Sequence, residues 1–195
     1  MTPPPPVLLL DVDGVLNALR RDLPEGWRRG TFAGYVLSWD PTVVARLRAW
    51  HESGQVELQW LTTWTERADR LLAEPMGLPR GLRTHSRDAL PTGFGGRLGG
   101  LSGWWKLAAA RAVAEAEPGR RIVWIDDDLA DQAEDTGEWL AARANVLVVA
   151  PDLMAGLTHA ELDRVEAWLG EPDLPGREDT GEHSPPPYDE PPTPT

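Results

Sequence analysis

Short apolar runs alternate along the chain with longer stretches in which apolar residues recur every three or four positions. Val7–Leu10 is a continuous run ending at Asp11, the pattern of a strand buried on both faces. A polar, Gly-containing stretch follows from Asn17 to Ser38. Asp40-Pro41 has the form of an N-cap with proline in the first turn, and Val43, Val44, Leu47 and Trp50 then recur at helical spacing until Gly54. Val56–Leu61 predicts a second strand, ending at Thr62-Thr63, and Thr65 opens a helix through about Ala73 that Pro75 breaks. Residues 75–103 are rich in Gly and Pro, with a marginal strand over Gly81–His85. Trp104–Glu117 predicts a helix stopped by Pro118-Gly119, and Ile122–Ile125 is a third buried strand, ending at Asp126-Asp127-Asp128. Ala130–Arg143 predicts a helix, Val146–Val149 a strand, and Thr158-x-x-Glu161 a capping box that opens a helix to Leu169.

Strands alternating with helices in this way imply right-handed crossovers and a mostly parallel sheet with helices on both sides. Such sheets bind ligands at the carboxyl ends of their strands. The polar residues fall there: Asp11 and Asp13 after the first strand, Thr62 after the second, Asp126 to Asp128 after a later one. Carboxylates gathered at one rim repel one another, so a positive charge must sit among them.

Composition narrows the setting. At 195 residues, with 41% hydrophobic content and ten Trp, one core with appendages is expected. The apolar runs are too short to span a bilayer, and the N-terminus lacks the basic and apolar regions of a secretory signal. With no cysteine there is neither a disulfide framework nor a thiolate metal site, and the expected location is the cytoplasm. The net charge is −12, and residues 171–195 carry seven acids, one Arg and eight Pro with only Leu174 and Tyr188 as large apolar residues. That segment is expected to be a disordered acidic tail, residues 1–6 a Pro-rich leader, and residues 7–170 the folded domain. A mildly acidic body disfavours strong non-specific binding to nucleic acid, and Arg20, Arg21, Arg28 and Arg29 form its basic cluster, as a solvated face or as an anion site. Eighteen of the nineteen bases are Arg, and the one Lys is Lys106. An ammonium is a compact point charge that a planar guanidinium does not replace at a phosphate.

The chemistry is carried by Leu-Leu-Leu-Asp11-Val-Asp13-Gly-Val-Leu, two carboxylates two residues apart where the chain leaves a strand, with Gly14 permitting a tight turn. Hard oxygen ligands without Cys or clustered His favour Mg²⁺. A carboxylate beside Mg²⁺ and Lys can attack phosphorus and split hydrolysis into two easier steps.

The order Asp-x-Asp-Gly-Val-Leu, a strand-end Thr, a helical Lys and a strand ending in Asp-Asp resembles the haloacid dehalogenase (HAD) superfamily. The chain is closer still to the HAD domain of Swiss Army Knife RNA repair proteins, through Trp39-Asp-Pro41, Leu-Thr62-Thr63-Trp64, Met76-Gly-Leu-Pro79, Trp105-Lys106 and Arg121-Ile-Val-Trp124-Ile-Asp126-Asp127-Asp128. The resemblance spans roughly residues 7–169. It implies a Rossmann-like α/β fold, with minimal or no cap domain, and a Mg²⁺-dependent phosphatase. Asp11 would be the nucleophile, and Asp13 the general acid and then base. Thr62, or Thr63 if the register is shifted by one, would hold a phosphoryl oxygen, and Lys106 would offset the charge of Asp11 and phosphate. Asp126, supported by Asp127, would complete a metal site with Asp11 and the Asp13 carbonyl.

A phosphate monoester is thus the expected substrate. A nucleotide or an RNA or DNA end enters through the subgroup's name, and the Pro-rich tail offers a protein partner a binding segment. The alternative is a catalytically idle HAD-like module that recruits partners through that tail. Dehalogenase chemistry is disfavoured by Asp13 and the acidic pair at 126–127. Among single residues, Trp50, Trp139 and Trp168 are expected in the core, while Trp64 and Trp104 border the site, as packing or as a platform for a base. His51, His85 and His159 lack ligand spacing, Asp128 and Asp131 suit helix caps, and Asp69 stands on a helix surface where the subgroup pattern has Asn.

Overall fold

The computed structural model describes residues 3–87 and 104–171. The expected leader lies partly, and the expected tail almost wholly, outside these residues. The strands are β1 (Val7–Leu10), β2 (Arg28–Phe32), β3 (Tyr35–Trp39), β4 (Glu57–Leu61), β5 (Arg83–His85), β6 (Ile122–Ile125) and β7 (Val146–Val149). The helices are α1 (Pro41–Glu52), α2 (Glu74–Met76), α3 (Trp105–Ala116), α4 (Ala133–Ala141) and α5 (His159–Gly170). Five strands form one sheet in the order β5-β4-β1-β6-β7, and every pairing in it is parallel. This is the Rossmann-like architecture expected from the alternation of strands and helices, and no large cap is present among the described residues.

Alternate side chains of the central strands feed two apolar layers. Leu8, Leu10, Leu58, Trp60, Val123 and Ile125 pack with Val43, Val44 and Leu47 of α1 and with Leu162 and Val165 of α5. Val7, Leu9, Leu61, Ile122 and Trp124 pack on the opposite face with Leu107, Ala109, Ala110 and Ala114 of α3 and Trp139 of α4. Burial on both faces is why these strands read as unbroken apolar runs. Asp40 caps α1 by accepting from the Thr42 N–H at 2.8 Å, and Thr158 with Glu161 forms the capping box of α5.

Three segments depart from expectation. The polar stretch before Asp40 contains a β-hairpin, β2 paired antiparallel with β3, whose turn residues Ala33 and Gly34 both adopt positive φ as a type I′ turn requires. Pro75 does not end its helix: residues Ala68–Ala73 form a π-helical turn that leads into α2, and the helix closes at Gly77. The wider turn upstream accommodates a residue with no N–H to donate. Asp69 is more than surface, because its carboxylate accepts from the N–H groups of Gly81 and Leu82 at 3.1 and 3.0 Å and fixes the chain entering β5. The marginal strand is real but only three residues long, paired to β4 through Gln59, Trp60 and Leu61.

Candidate active site

Sheet order brings the site together. β1 lies between β4 and β6, and its register pairs Leu10 with Trp60 on one side and Ile125 on the other. The residues that follow, Asp11, Thr62 and Asp126, therefore leave adjacent strands at the same rim. β4 was reached by one crossover and β6 by another on the far side of β1, which makes this rim the topological switch point of the sheet.

Asp11 is buried, and both of its oxygens are engaged. Oδ1 accepts from the Val12 N–H at 2.7 Å, and Oδ2 accepts from Lys106 Nζ at 2.6 Å. The Thr62 hydroxyl also favours the charged form of this carboxylate, whereas Thr63 is exposed. Thr62 is fully buried and its Oγ1 accepts from the Trp64 N–H at 3.3 Å.

Lys106 stands in the first turn of α3, 1% exposed, and supplies the positive charge that the strand-end acids demand. Besides Asp11 it reaches Asp126 at 2.9 Å and Asp128 at 3.5 Å. An ammonium has three N–H donors, and here each has a carboxylate. Asp126, fully buried, accepts also from the Asp128 N–H at 3.2 Å and the Trp124 indole at 3.4 Å. Asp128 thus turns toward Lys106, and it is Asp126 that caps the short 3₁₀ turn over Asp127–Ala130.

Carboxylate oxygens of Asp11, Asp126 and Asp127 all lie within 4.8 Å of one another. Asp127 is placed by Gly14: a Cβ at that glycine would fall 2.2 Å from the Asp127 carboxyl carbon, and its φ of +70° is left-handed. Burial, and next the charge of Asp11, pushes Asp126 up to about 7. Burial, then Asp128 and Asp11, pushes Asp127 up to about 6. Burial likewise raises Asp11 against the pull of Lys106. For Lys106 burial opposes the charged form, but Asp11 and Asp126 outweigh it and hold the ammonium well above its ordinary range. Three carboxylates, Asp11, Asp126 and Asp128, contact one ammonium, and two of these, Asp11 and Asp126, form a hard-oxygen donor set with Asp127, so the cluster fits a divalent cation such as Mg²⁺.

Asp13 takes no part in that cluster through its side chain. Its Oδ1 accepts from Asn17 Nδ2 at 2.8 Å and its Oδ2 from the Trp64 indole at 2.9 Å. Asn17, which looked like the start of a loop, is 3% exposed; the four-residue spacing Asp13-x-x-x-Asn17 was its only signal in the sequence. Trp104 stacks on Trp124 at 4.9 Å between centroids, with Lys106 Nζ 5.7 Å from its own ring centre. His85 lies on β5, its Nε2 2.7 Å from Gln59 Oε1, and burial with the charge of Arg83 lowers it to about 4. His51 Nδ1 accepts from the Leu58 N–H at 3.2 Å, and His159 faces Thr42 and Arg46. In the basic cluster, Arg29 bonds Ser38 Oγ and the Arg21 carbonyl, and Arg20 bonds the Asp22 carbonyl beside Trp27. No helix among the described residues is long and apolar enough to cross a membrane.

No curated protein and no solved structure gives a significant match to the chain. Residues 7–162 match the model of the HAD domain in Swiss Army Knife RNA repair proteins, and the chain therefore belongs to that family of HAD-type hydrolase domains.

Proposed function

We propose that this chain is a Mg²⁺-dependent phosphohydrolase that passes the phosphoryl group of a monoester to Asp11 and then to water. The observation that carries it is Asp11 itself, a buried carboxylate at a strand end with Lys106 2.6 Å from one oxygen and Asp126 and Asp127 beside it. Asp11, Asp126, Asp127 and the Asp13 carbonyl would hold the metal. When bound, Mg²⁺ offsets the repulsion between carboxylate and phosphate and polarises the phosphoryl oxygens.

In the first step an Asp11 oxygen forms a bond to phosphorus while the bond from phosphorus to the ester oxygen breaks. The electron pair of that bond goes to the leaving oxygen, which takes a proton from Asp13. In the second step Asp13 accepts a proton from water as the water oxygen attacks phosphorus, and inorganic phosphate leaves Asp11 free. Thr62, buried at the end of β4 next to β1, would hold a phosphoryl oxygen. The exposed Thr63 is left as the weaker candidate. The lack of a large cap among the described residues suits a bulky ester, and the family's description, a domain of RNA repair proteins, supports a nucleotide or a polynucleotide end as the substrate. The setting proposed with it is the cytoplasm, and the partner a protein engaging the Pro-rich tail.

The test is hydrolysis of p-nitrophenyl phosphate with acid-quench trapping of labelled enzyme. Activity should vanish in chelator and return with Mg²⁺, and Asp11→Asn should trap no phosphate on the protein. Full activity in excess EDTA, or a labelled Asp11→Asn protein, sinks the mechanism. Phosphorylated metabolites screened against 3′- and 5′-phosphorylated RNA and DNA ends then identify the substrate.

A further inference from the structure

We propose that Trp64 and Asn17 are positioning residues that clamp the Asp13 carboxyl group, one N–H on each oxygen, and tie its aim to the β2–β3 hairpin. The inference rests on the role given above to Asp13 as proton donor to the leaving group.

Each oxygen of Asp13 meets one neutral donor: Asn17 Nδ2 at 2.8 Å on Oδ1, and Trp64 Nε1 at 2.9 Å on Oδ2. A carboxylate offers about four lone-pair sites, so two donors on different oxygens fix the plane of the group and still leave sites for a proton. One donor alone would let the group swing about that single bond. Both donors are themselves held. Trp64 is 8% exposed, and the edge of Tyr35 packs against its ring at 5.5 Å between centroids and 72° between planes. Asn17 is held from its other end, where Oδ1 accepts from the Ser38 N–H at 2.9 Å. Tyr35 and Ser38 both belong to β3, so the two prongs converge on one strand of the hairpin.

Two contrasts separate this from ordinary packing. Trp39, Trp60 and Trp139 bury their indole N–H groups without a hydrogen-bond partner among the described residues, so the pairing of Trp64 is not one that every buried tryptophan shares there. The Trp64 N–H is nevertheless spent on the carboxylate expected to move the proton. Tyr35, in turn, is 62% exposed, so its ring meets Trp64 from the surface of the hairpin and not from within the core. A hairpin that contacts the acid by two routes can set the aim of Asp13 without touching phosphate.

Trp64→Phe keeps the ring against Tyr35 and removes only the donor. Misplacing a reacting group by about 1 Å costs on the order of 100-fold. The variant should therefore lose about 10-fold or more in kcat/KM on an alkyl phosphate, whose leaving oxygen needs a proton. On p-nitrophenyl phosphate, whose leaving group departs without one, it should lose less than about 3-fold. Asn17→Ala should show the same split, and Asp13→Asn sets its upper limit. Equal loss on both substrates, or none on either, overturns the clamp.

A second measurement does not depend on turnover. Of the ten indole N–H signals in a nitrogen–proton spectrum, the one missing from Trp64→Phe is that of Trp64. In Asp13→Ala this signal should shift more than the other nine, whose dispersion reports that the protein is folded. A Trp64 signal that stays in place refutes the contact. If the unaltered protein hydrolyses no phosphate ester, the phosphatase assignment fails, and the indole signal by itself decides whether the clamp exists.

Discussion

Replacing Lys106 by Met removes the cation that, among the described residues, sits inside a ring of acids, while nearly preserving the volume of the side chain. In the folded protein Nζ lies 2.6 Å from Asp11, 2.9 Å from Asp126 and 3.5 Å from Asp128, and the lysine side chain is 2% exposed. Removing one partner of a buried ion pair costs about 3–5 kcal/mol, because the other is left as an unpaired charge. At about 2–4 °C per kcal/mol for a chain of this size, the melting temperature should fall by about 6–20 °C. The sign of the pH dependence follows from the same charges. Without the ammonium, Asp11 and Asp126 hold their protons still more tightly in the folded state than in the unfolded one. Folded protein then binds the extra protons, and stability falls as pH rises. The loss should therefore be largest near pH 8 and shrink toward pH 5, where the carboxyls are neutral in the variant. Mg²⁺ should restore part of it by binding the folded state alone. Lys106→Arg should recover little, since a planar fork cannot place one N–H on each of three converging carboxylates in so enclosed a position. Melting curves of the three proteins at pH 5 and 8, with chelator and with Mg²⁺, decide the matter. A Lys106→Met protein that melts within about 2 °C of the parent at pH 8, or loses as much at pH 5, would refute the reasoning.

Two further outcomes follow from the acids themselves. Gly14→Ala puts a Cβ 2.2 Å from the Asp127 carboxyl carbon at a φ of +70°, so it should cost about 1–2 kcal/mol in backbone strain and weaken Mg²⁺ binding by displacing Asp127, as urea unfolding and calorimetric titration will show. Unchanged Mg²⁺ affinity would detach Asp127 from the metal site. In chelator, folded Asp126 keeps its proton up to about pH 7, where the unfolded residue has lost it above about 4, so this group should make stability fall by up to about 1.4 kcal/mol per pH unit between those limits and level off above them. Asp126→Asn should remove that contribution; Asp11 and Asp127 are raised as well, and His85, lowered to about 4, acts with the opposite sign below about pH 6.5, so the readout is the stability difference between parent and variant, and a difference that stays constant between about pH 4 and 7 would overturn the assignment.

The parts of the fold that were legible in the residues are those whose burial is uniform or strictly periodic. β1 and β6 are continuous apolar runs because both faces of the sheet are covered, β7 is one although half-buried at the edge, and α1 and α5 announce themselves by Asp40-Pro41 and by Thr158-x-x-Glu161. The hairpin was illegible for the converse reason. β2 is exposed or half-buried along its whole length, and β3 is buried only from Leu37 to Trp39, so neither shows the alternation of a strand with one face on a core. Its turn, Ala33-Gly34, also lacks the Asn-Gly or Asp-Gly pair that marks most such hairpins. β5 is too short to carry a pattern, and its place is set by pairing with β4 and by the Asp69 carboxylate rather than by its own residues.

The chemistry divides along the same line. The identity of the reactive groups was local information: two aspartates at a strand end before a glycine, a further acidic strand end, and one lysine in a chain that otherwise uses arginine. Their relations were not. Nothing near Lys106 in the chain says that it will meet Asp11, 95 residues away, or Asp126 and Asp128, because that meeting depends on β6 lying beside β1 and on α3 covering the face that joins them. Nor does the spacing of Asp11 and Asp13 separate their fates. Backbone geometry at the end of β1 sends Asp11 into the sheet's rim, toward lysine and the other acids, and leaves Asp13 half-buried among neutral donors from Asn17 and Trp64. Residue type determined what each carboxylate could do, and packing decided which charge each would feel, because electrostatic and hydrogen-bond energies depend on distances of a few ångströms that sequence separation does not encode.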